Sequence, residues 1–110
     1  MSVKHIHSPA EWRQAVSDPD TDKICVFDFY GEWCGPCKII APAYEAMADE
    51  CKNIARFYKV DSDEMHDLAE QQLVSALPTF VFFHRGKRIG HYVGANIKGF
   101  REKLDNLLAE

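Results

Sequence analysis

Residues 25–38 read Cys25-Val26-Phe27-Asp28-Phe29-Tyr30-Gly31-Glu32-Trp33-Cys34-Gly35-Pro36-Cys37-Lys38. With Ile24 ahead of it, the segment up to Tyr30 is a nearly continuous apolar and aromatic run, the pattern of a strand buried on both faces. One residue does not fit that run: Asp28. A helix is expected to begin around Cys34 and to continue to about Cys51, carrying Ile39, Ile40, Ala43, Tyr44 and Met47 toward a core. Pro42 inside it removes a backbone N–H and is expected to kink it.

Working outward, helix and strand patterns alternate. Val3 to His7 fits a short strand. Ser8-Pro9-Ala10-Glu11 then reads as a helix start, with Ser8 as N-cap, Pro9 in the first helical position and Glu11 closing a capping box. That helix is expected to run to about Ser17, and Pro19 with its two neighbouring Asp residues marks a loop. Ala55 to Val60 is a second strand, followed by a helix opening near Ser62 and running to about Leu73. Thr79 to His84 and Lys87 to Val93 are strands joined at Arg85-Gly86, an antiparallel hairpin pattern. A last helix starts near Asn96, with Phe100, Leu104, Leu107 and Leu108 at helical spacing. The order predicts a layered α/β sandwich, a mixed sheet between helices.

The chain has 110 residues, 46% of them apolar and 27% charged, enough for one domain over residues 1–110 with a core that needs no staples. Its formal charge of −4 comes without a basic patch, which argues against nucleic acid or an anionic membrane as partner. No stretch approaches the roughly 18 apolar residues that a membrane span needs. The segment Met1-Ser2-Val3-Lys4-His5-Ile6-His7 has no apolar signal-peptide core. The expected compartment is therefore the reducing cytoplasm, where lasting structural disulfides are rare. Four cysteines in such a chain point to reactivity or metal binding.

Cys34 and Cys37 lie three apart at a helix start, on one face and within disulfide reach. Unpaired N–H groups and the helix dipole at that end favour an anion, so a thiolate is stabilised and the nucleophile exists at neutral pH. Gly35 allows close backbone approach, and Pro36 fits the first turn because its missing N–H has no partner there anyway. Cys34, at the very end, is expected to be the exposed attacking thiol and Cys37, one turn inward, the buried resolving thiol. A zinc site is the alternative use of such a pair, but it needs two further ligands at suitable spacing. Cys25 sits inside a strand, Cys51 stands alone, and no paired histidines follow.

These residues resemble the active-site strand and helix of the thioredoxin family. The likeness continues through Phe57-Tyr58-Lys59-Val60-Asp61, Leu77-Pro78-Thr79-Phe80 and Val93-Gly94-Ala95, and so spans essentially the whole chain. It implies the thioredoxin fold, a central mixed β-sheet with helices on both faces, and the activity of a general protein-disulfide reductase. Cys34 would attack a target disulfide, and Cys37 would then displace the target and close a Cys34–Cys37 disulfide. Asp28, a costly carboxylate in an apolar strand, would be the proton acceptor for Cys37, with Lys59 tuning it. Pro78 would form a cis turn facing the dithiol, and Trp33, Ala76, Leu77, Val93, Gly94 and Ala95 a shallow apolar rim for an extended target segment.

The resemblance also implies no bound cofactor, since the chain has no dinucleotide fingerprint and electrons reside in the cysteines. They would come from NADPH through a separate thioredoxin reductase and pass to targets of the peroxiredoxin and ribonucleotide reductase type. The expected state is a monomer. Tyr30 and Gly31 depart from the family pattern, where Trp and Ala are common. Cys25 is expected to pack as a small core residue, Cys51 stands near a helix end, and His5, His7, His66, His84 and His91 are scattered.

Overall fold

A computed structural model describes residues 2–19 and 21–110. Asp20, part of the loop expected around Pro19, and Met1 lie outside the described residues. The elements follow in the order β1 (Val3–Ile6), α1 (Pro9–Val16), β2 (Ile24–Tyr30), α2 (Gly35–Glu50), β3 (Ala55–Asp61), α3 (His66–Gln71), β4 (Thr79–His84), β5 (Lys87–Val93) and α4 (Ile97–Leu108).

The five strands form one sheet in the order β1-β3-β2-β4-β5. β1 and β2 both run parallel to β3, while β4 runs antiparallel to β2 and β5 antiparallel to β4. The sheet is therefore mixed, as its element order predicts. β2 lies at its centre, which is why the run from Ile24 to Phe29 is buried without a break. The β4–β5 hairpin turns on Arg85 and Gly86, with φ of 54° and 80°, the left-handed pair that a two-residue hairpin loop requires.

Alternate residues of β2 face opposite layers. Ile24 and Val26 pack with Ile40, Tyr44 and Met47 of α2 and with Phe100, Leu104 and Leu107 of α4. Cys25, Phe27 and Phe29 pack on the other face with Ala15 of α1 and Leu68 and Ala69 of α3. Asp28 continues the Ile24–Val26 series, so its side chain faces the layer of α2.

Three element-level expectations are corrected. In α1, Ser8 Oγ accepts from the Glu11 N–H at 3.1 Å, but the Glu11 carboxylate accepts from the His7 N–H at 2.7 Å, one residue before the cap. α3 starts at His66 rather than near Ser62, because Asp61 Oδ1 accepts from the N–H groups of Asp63 (2.9 Å) and Glu64 (3.4 Å), holding that stretch as a side-chain-closed turn. Ile39 is 77% exposed rather than in the core. The inward stripe of α2 is Cys37, Ile40, Tyr44, Met47 and Ala48, and Ile39 falls about 100° from it. α2 runs through Pro42 as one helix, with the Lys38 carbonyl deprived of its usual donor four residues on.

Candidate active site

The chain leaves the carboxyl end of β2 and enters α2 within a few residues, and Cys34 sits at the junction. It is the N-cap of α2, with extended backbone (φ −85°, ψ 112°). Its Sγ accepts from the Cys37 N–H at 3.2 Å, so the sulfur takes the capping position that serine or aspartate fills elsewhere. An amide donor and a helix N-terminus aimed at one sulfur stabilise its thiolate over its thiol. Pro36 stands in the first turn, where its missing N–H costs nothing.

Cys34 and Cys37 form a disulfide with Cα atoms 5.3 Å apart. Cys34 is only 4% exposed and Cys37 5%, which corrects the expectation of an exposed attacking thiol. Joined in a disulfide, both cysteines are buried at the start of α2. What sets the two apart is position: Cys34 caps the helix and Cys37 lies inside it.

Asp28 is buried, 2% exposed, and its Oδ1 has no hydrogen-bond partner among the described residues. Burial pushes its carboxyl up to about 7, and the Lys59 charge pulls the other way without cancelling that effect. A group that gains and loses a proton near neutrality is thus enclosed beneath α2. Lys59 is its Cα partner across β2 and β3. The Lys59 ammonium stands over the Tyr30 ring, 4.5 Å from its centroid. Tyr44 ties α2 to the sheet at this level, its hydroxyl donating to the Tyr58 carbonyl at 2.8 Å.

The Leu77–Pro78 peptide is cis. Thr79 Oγ1 donates to the Ala76 carbonyl at 2.6 Å and the Gly94 N–H to the Pro78 carbonyl at 2.9 Å, so the turns around Pro78 and Gly94 are held together. A Cβ on Gly31 would lie 3.1 Å from both Leu77 Cδ1 and the Trp33 ring, and the Gly31 carbonyl accepts from the Cys34 N–H at 3.1 Å. Gly31 therefore links the Leu77 side of the rim to Trp33 and the dithiol turn. Trp33 is 70% and Val93 50% exposed, and Ala76 and Ala95 are exposed beside them.

One contact here had no signal in the sequence. Trp33 Nε1 donates to Asp63 Oδ2 at 2.9 Å, across a separation of 30 residues. The other cysteines stand apart: Cys25 is buried in the α1 layer, and Cys51 is buried with Arg101 Nη1 donating to its sulfur at 3.2 Å. Among the described residues no group of His, Cys, Asp and Glu side chains is arranged to hold a metal ion, and no helix is long and apolar enough to cross a membrane.

A mixed five-stranded sheet presenting a capped cysteine pair at the start of a helix defines a dithiol–disulfide oxidoreductase. The thioredoxin family model matches residues 3–108. A thioredoxin from Geodia cydonium is 46% identical over 93% of this chain and 95% of its own. Among solved structures, a poplar thioredoxin h superposes with a TM-score of 0.91 at 32% identity, covering 100% of this chain and 99% of that one. A chain solved in work on thiol resolution in a yeast mitochondrial 1-Cys peroxiredoxin via glutathione and thioredoxin systems superposes at 0.85, with 31% identity over 96% and 95% of the two chains. The chain belongs to the thioredoxin family. Its activity is that of a protein-disulfide reductase working through a redox-active cysteine pair, a chemistry that needs no bound cofactor.

Proposed function

We propose that Cys34 is the nucleophile, Cys37 the resolving thiol and Asp28 the proton acceptor of a two-step exchange. In the reduced protein the Cys34 thiolate attacks one sulfur of a target disulfide. A Cys34–target bond forms, the target disulfide breaks, and one target thiolate leaves. Cys37 then passes its proton to Asp28 and attacks Cys34 Sγ, closing the Cys34–Cys37 disulfide and releasing the second target thiolate. Two electrons have moved from the protein to the target. The observation that carries this reading is the capping geometry, which gives the anion-stabilising position to Cys34 and leaves Cys37 within disulfide reach.

Gly35 and Pro36 shape the first turn, and Lys59 tunes Asp28. An extended segment of the target lies on the rim of Trp33, Ala76, Leu77, Pro78, Val93, Gly94 and Ala95; Trp33, Ala76, Val93 and Ala95 offer exposed side chains, Leu77 and Gly94 are half-buried, and Pro78 is buried. Electrons return from NADPH through a separate thioredoxin reductase. Targets are proteins of the peroxiredoxin and ribonucleotide reductase type, and the yeast peroxiredoxin work supports the first of these. The protein works in the cytoplasm as a single-domain monomer, a setting that suits two cysteines held as free thiols.

The test is reduction of insulin disulfides with NADPH and a thioredoxin reductase. Cys34→Ser abolishes turnover, whereas Cys37→Ser accumulates a mixed disulfide with its target, visible on a non-reducing gel. Trapping by Cys34→Ser in place of Cys37→Ser would reverse the assignment.

A further inference from the structure

The seat of the Lys59 ammonium gives Tyr30, at the end of β2, a task. Asp28 and Lys59 are Cα partners across β2 and β3, and Tyr30 lies two residues beyond Asp28 on the same face. The Lys59 side chain thus has two destinations within reach, the buried carboxylate and the partly buried ring. Its ammonium lies over the ring, 4.5 Å from the centroid, and Asp28 Oδ1 has no hydrogen-bond partner among the described residues.

We propose that Tyr30 is a positioning residue for the proton acceptor: its ring face holds the Lys59 ammonium off Asp28, keeping that carboxyl free of a direct ion pair and able to take the Cys37 proton. This rests on the reading of Asp28 as the acceptor. A cation in contact with the carboxylate would hold it ionised and make it a poor base. A cation seated on an aromatic face still contributes a longer-range attraction, as it does here.

Lys59 is the register partner of Asp28 on β3, and the carboxylate interacts electrostatically with Lys59, with Tyr30 on its own strand and with Tyr44 on α2. Its register partner on β4 is Phe80, which carries no charge. Around Tyr30 the charges are Asp61, Glu32, Glu64 and Asp28 itself, each of which, after burial, raises the phenol's pKa. Those carboxylates also attract Lys59, so a test has to separate the ring from the surrounding charge.

The measurement is a ¹³C NMR titration of the Asp28 carboxyl in the oxidised protein, where Cys34 and Cys37 do not titrate. Tyr30→Phe keeps the ring and leaves the Asp28 midpoint in place. Tyr30→Leu frees Lys59 to swing onto the carboxylate and lowers the midpoint by about one pH unit. In a Lys59→Met background the midpoint rises above that of the unmodified protein, and adding Tyr30→Leu changes nothing further. An equal drop on adding Tyr30→Leu without Lys59 would overturn the proposal, since water entry alone would then explain it. So would an unmoved midpoint in Tyr30→Leu, or a drop in Tyr30→Phe. The acceptor reading is tested separately. The pH profile of mixed-disulfide resolution in Asp28→Asn, if unaltered, would remove Asp28 from the chemistry whatever the titration of the Tyr30 variants shows.

Discussion

Asp28 carries a stability cost whose sign follows from its environment. Its folded pKa of about 7 lies above the ordinary aspartate value of about 3.9, so the folded protein holds the proton more tightly than the unfolded chain. Below about pH 4 both states are protonated and the residue costs no ionisation energy. As pH rises from about 4 to 7 the unfolded state loses its proton first, and stability falls until both are ionised. Asp28→Asn is therefore expected to stabilise the fold by up to about 4 kcal/mol above pH 8, and the gain should shrink toward zero at pH 4. Urea unfolding of oxidised protein at both pH values checks this; a gain independent of pH would mean that the carboxyl is not buried as a titrating group. The anomaly of Asp28 in an apolar run was legible from the residues alone. Its unpartnered oxygen and the seat of Lys59 on Tyr30 were not, because both depend on how two strands are registered.

At the scale of elements, α3 ends in a way that its sequence does not favour. The Val74 N–H bonds to the Ala69 carbonyl and the Leu73 N–H to the Glu70 carbonyl, both at 3.0 Å, the paired closure of a Schellman motif. Leu73 occupies the left-handed position with φ 61°, where glycine is the usual residue, and it is 81% exposed. Leu73→Gly relieves the side-chain clash without removing a core contact. It is expected to stabilise the protein by about 1 kcal/mol, read as a higher urea midpoint with an unchanged slope. A lower midpoint would show that Leu73 makes packing contacts that its exposure hides. The sequence reading ends this helix at about Leu73, whereas the left-handed leucine has no signature, since nothing in the local pattern names a non-glycine residue for that conformation. α3 starts later than the sequence pattern suggests for a related reason: the Asp61 side chain competes for the amides that would otherwise open a helix.

For the molecule as a whole, the sheet divides the apolar residues into two layers, and the layer beneath the dithiol is closed by α4. Phe100 sets its ring against Tyr44, Phe80 and Phe82, with centroids 5.8, 4.7 and 5.7 Å away, and it is fully buried. Phe100→Ala is expected to cost about 3–5 kcal/mol, a large share of the roughly 5–15 kcal/mol that holds a domain together. Chemical denaturation measures it, and a loss below about 1 kcal/mol would mean that α4 repacks around the gap. The residues by themselves determined the alternation of elements, the strand buried on both faces, the helix cap at Ser8, the start of the last helix near Asn96 and the dithiol at a helix start. Those features rest on spacing and capping, which act over a few neighbouring residues. The folded arrangement alone established that Cys34 is buried in the disulfide, that Ile39 faces outward, that Asp63 accepts a hydrogen bond from Trp33 and that the Lys59 ammonium lies over the Tyr30 ring. Each of these depends on exclusion of water or on side chains brought together from separate elements, and neither is written in the local pattern of the chain.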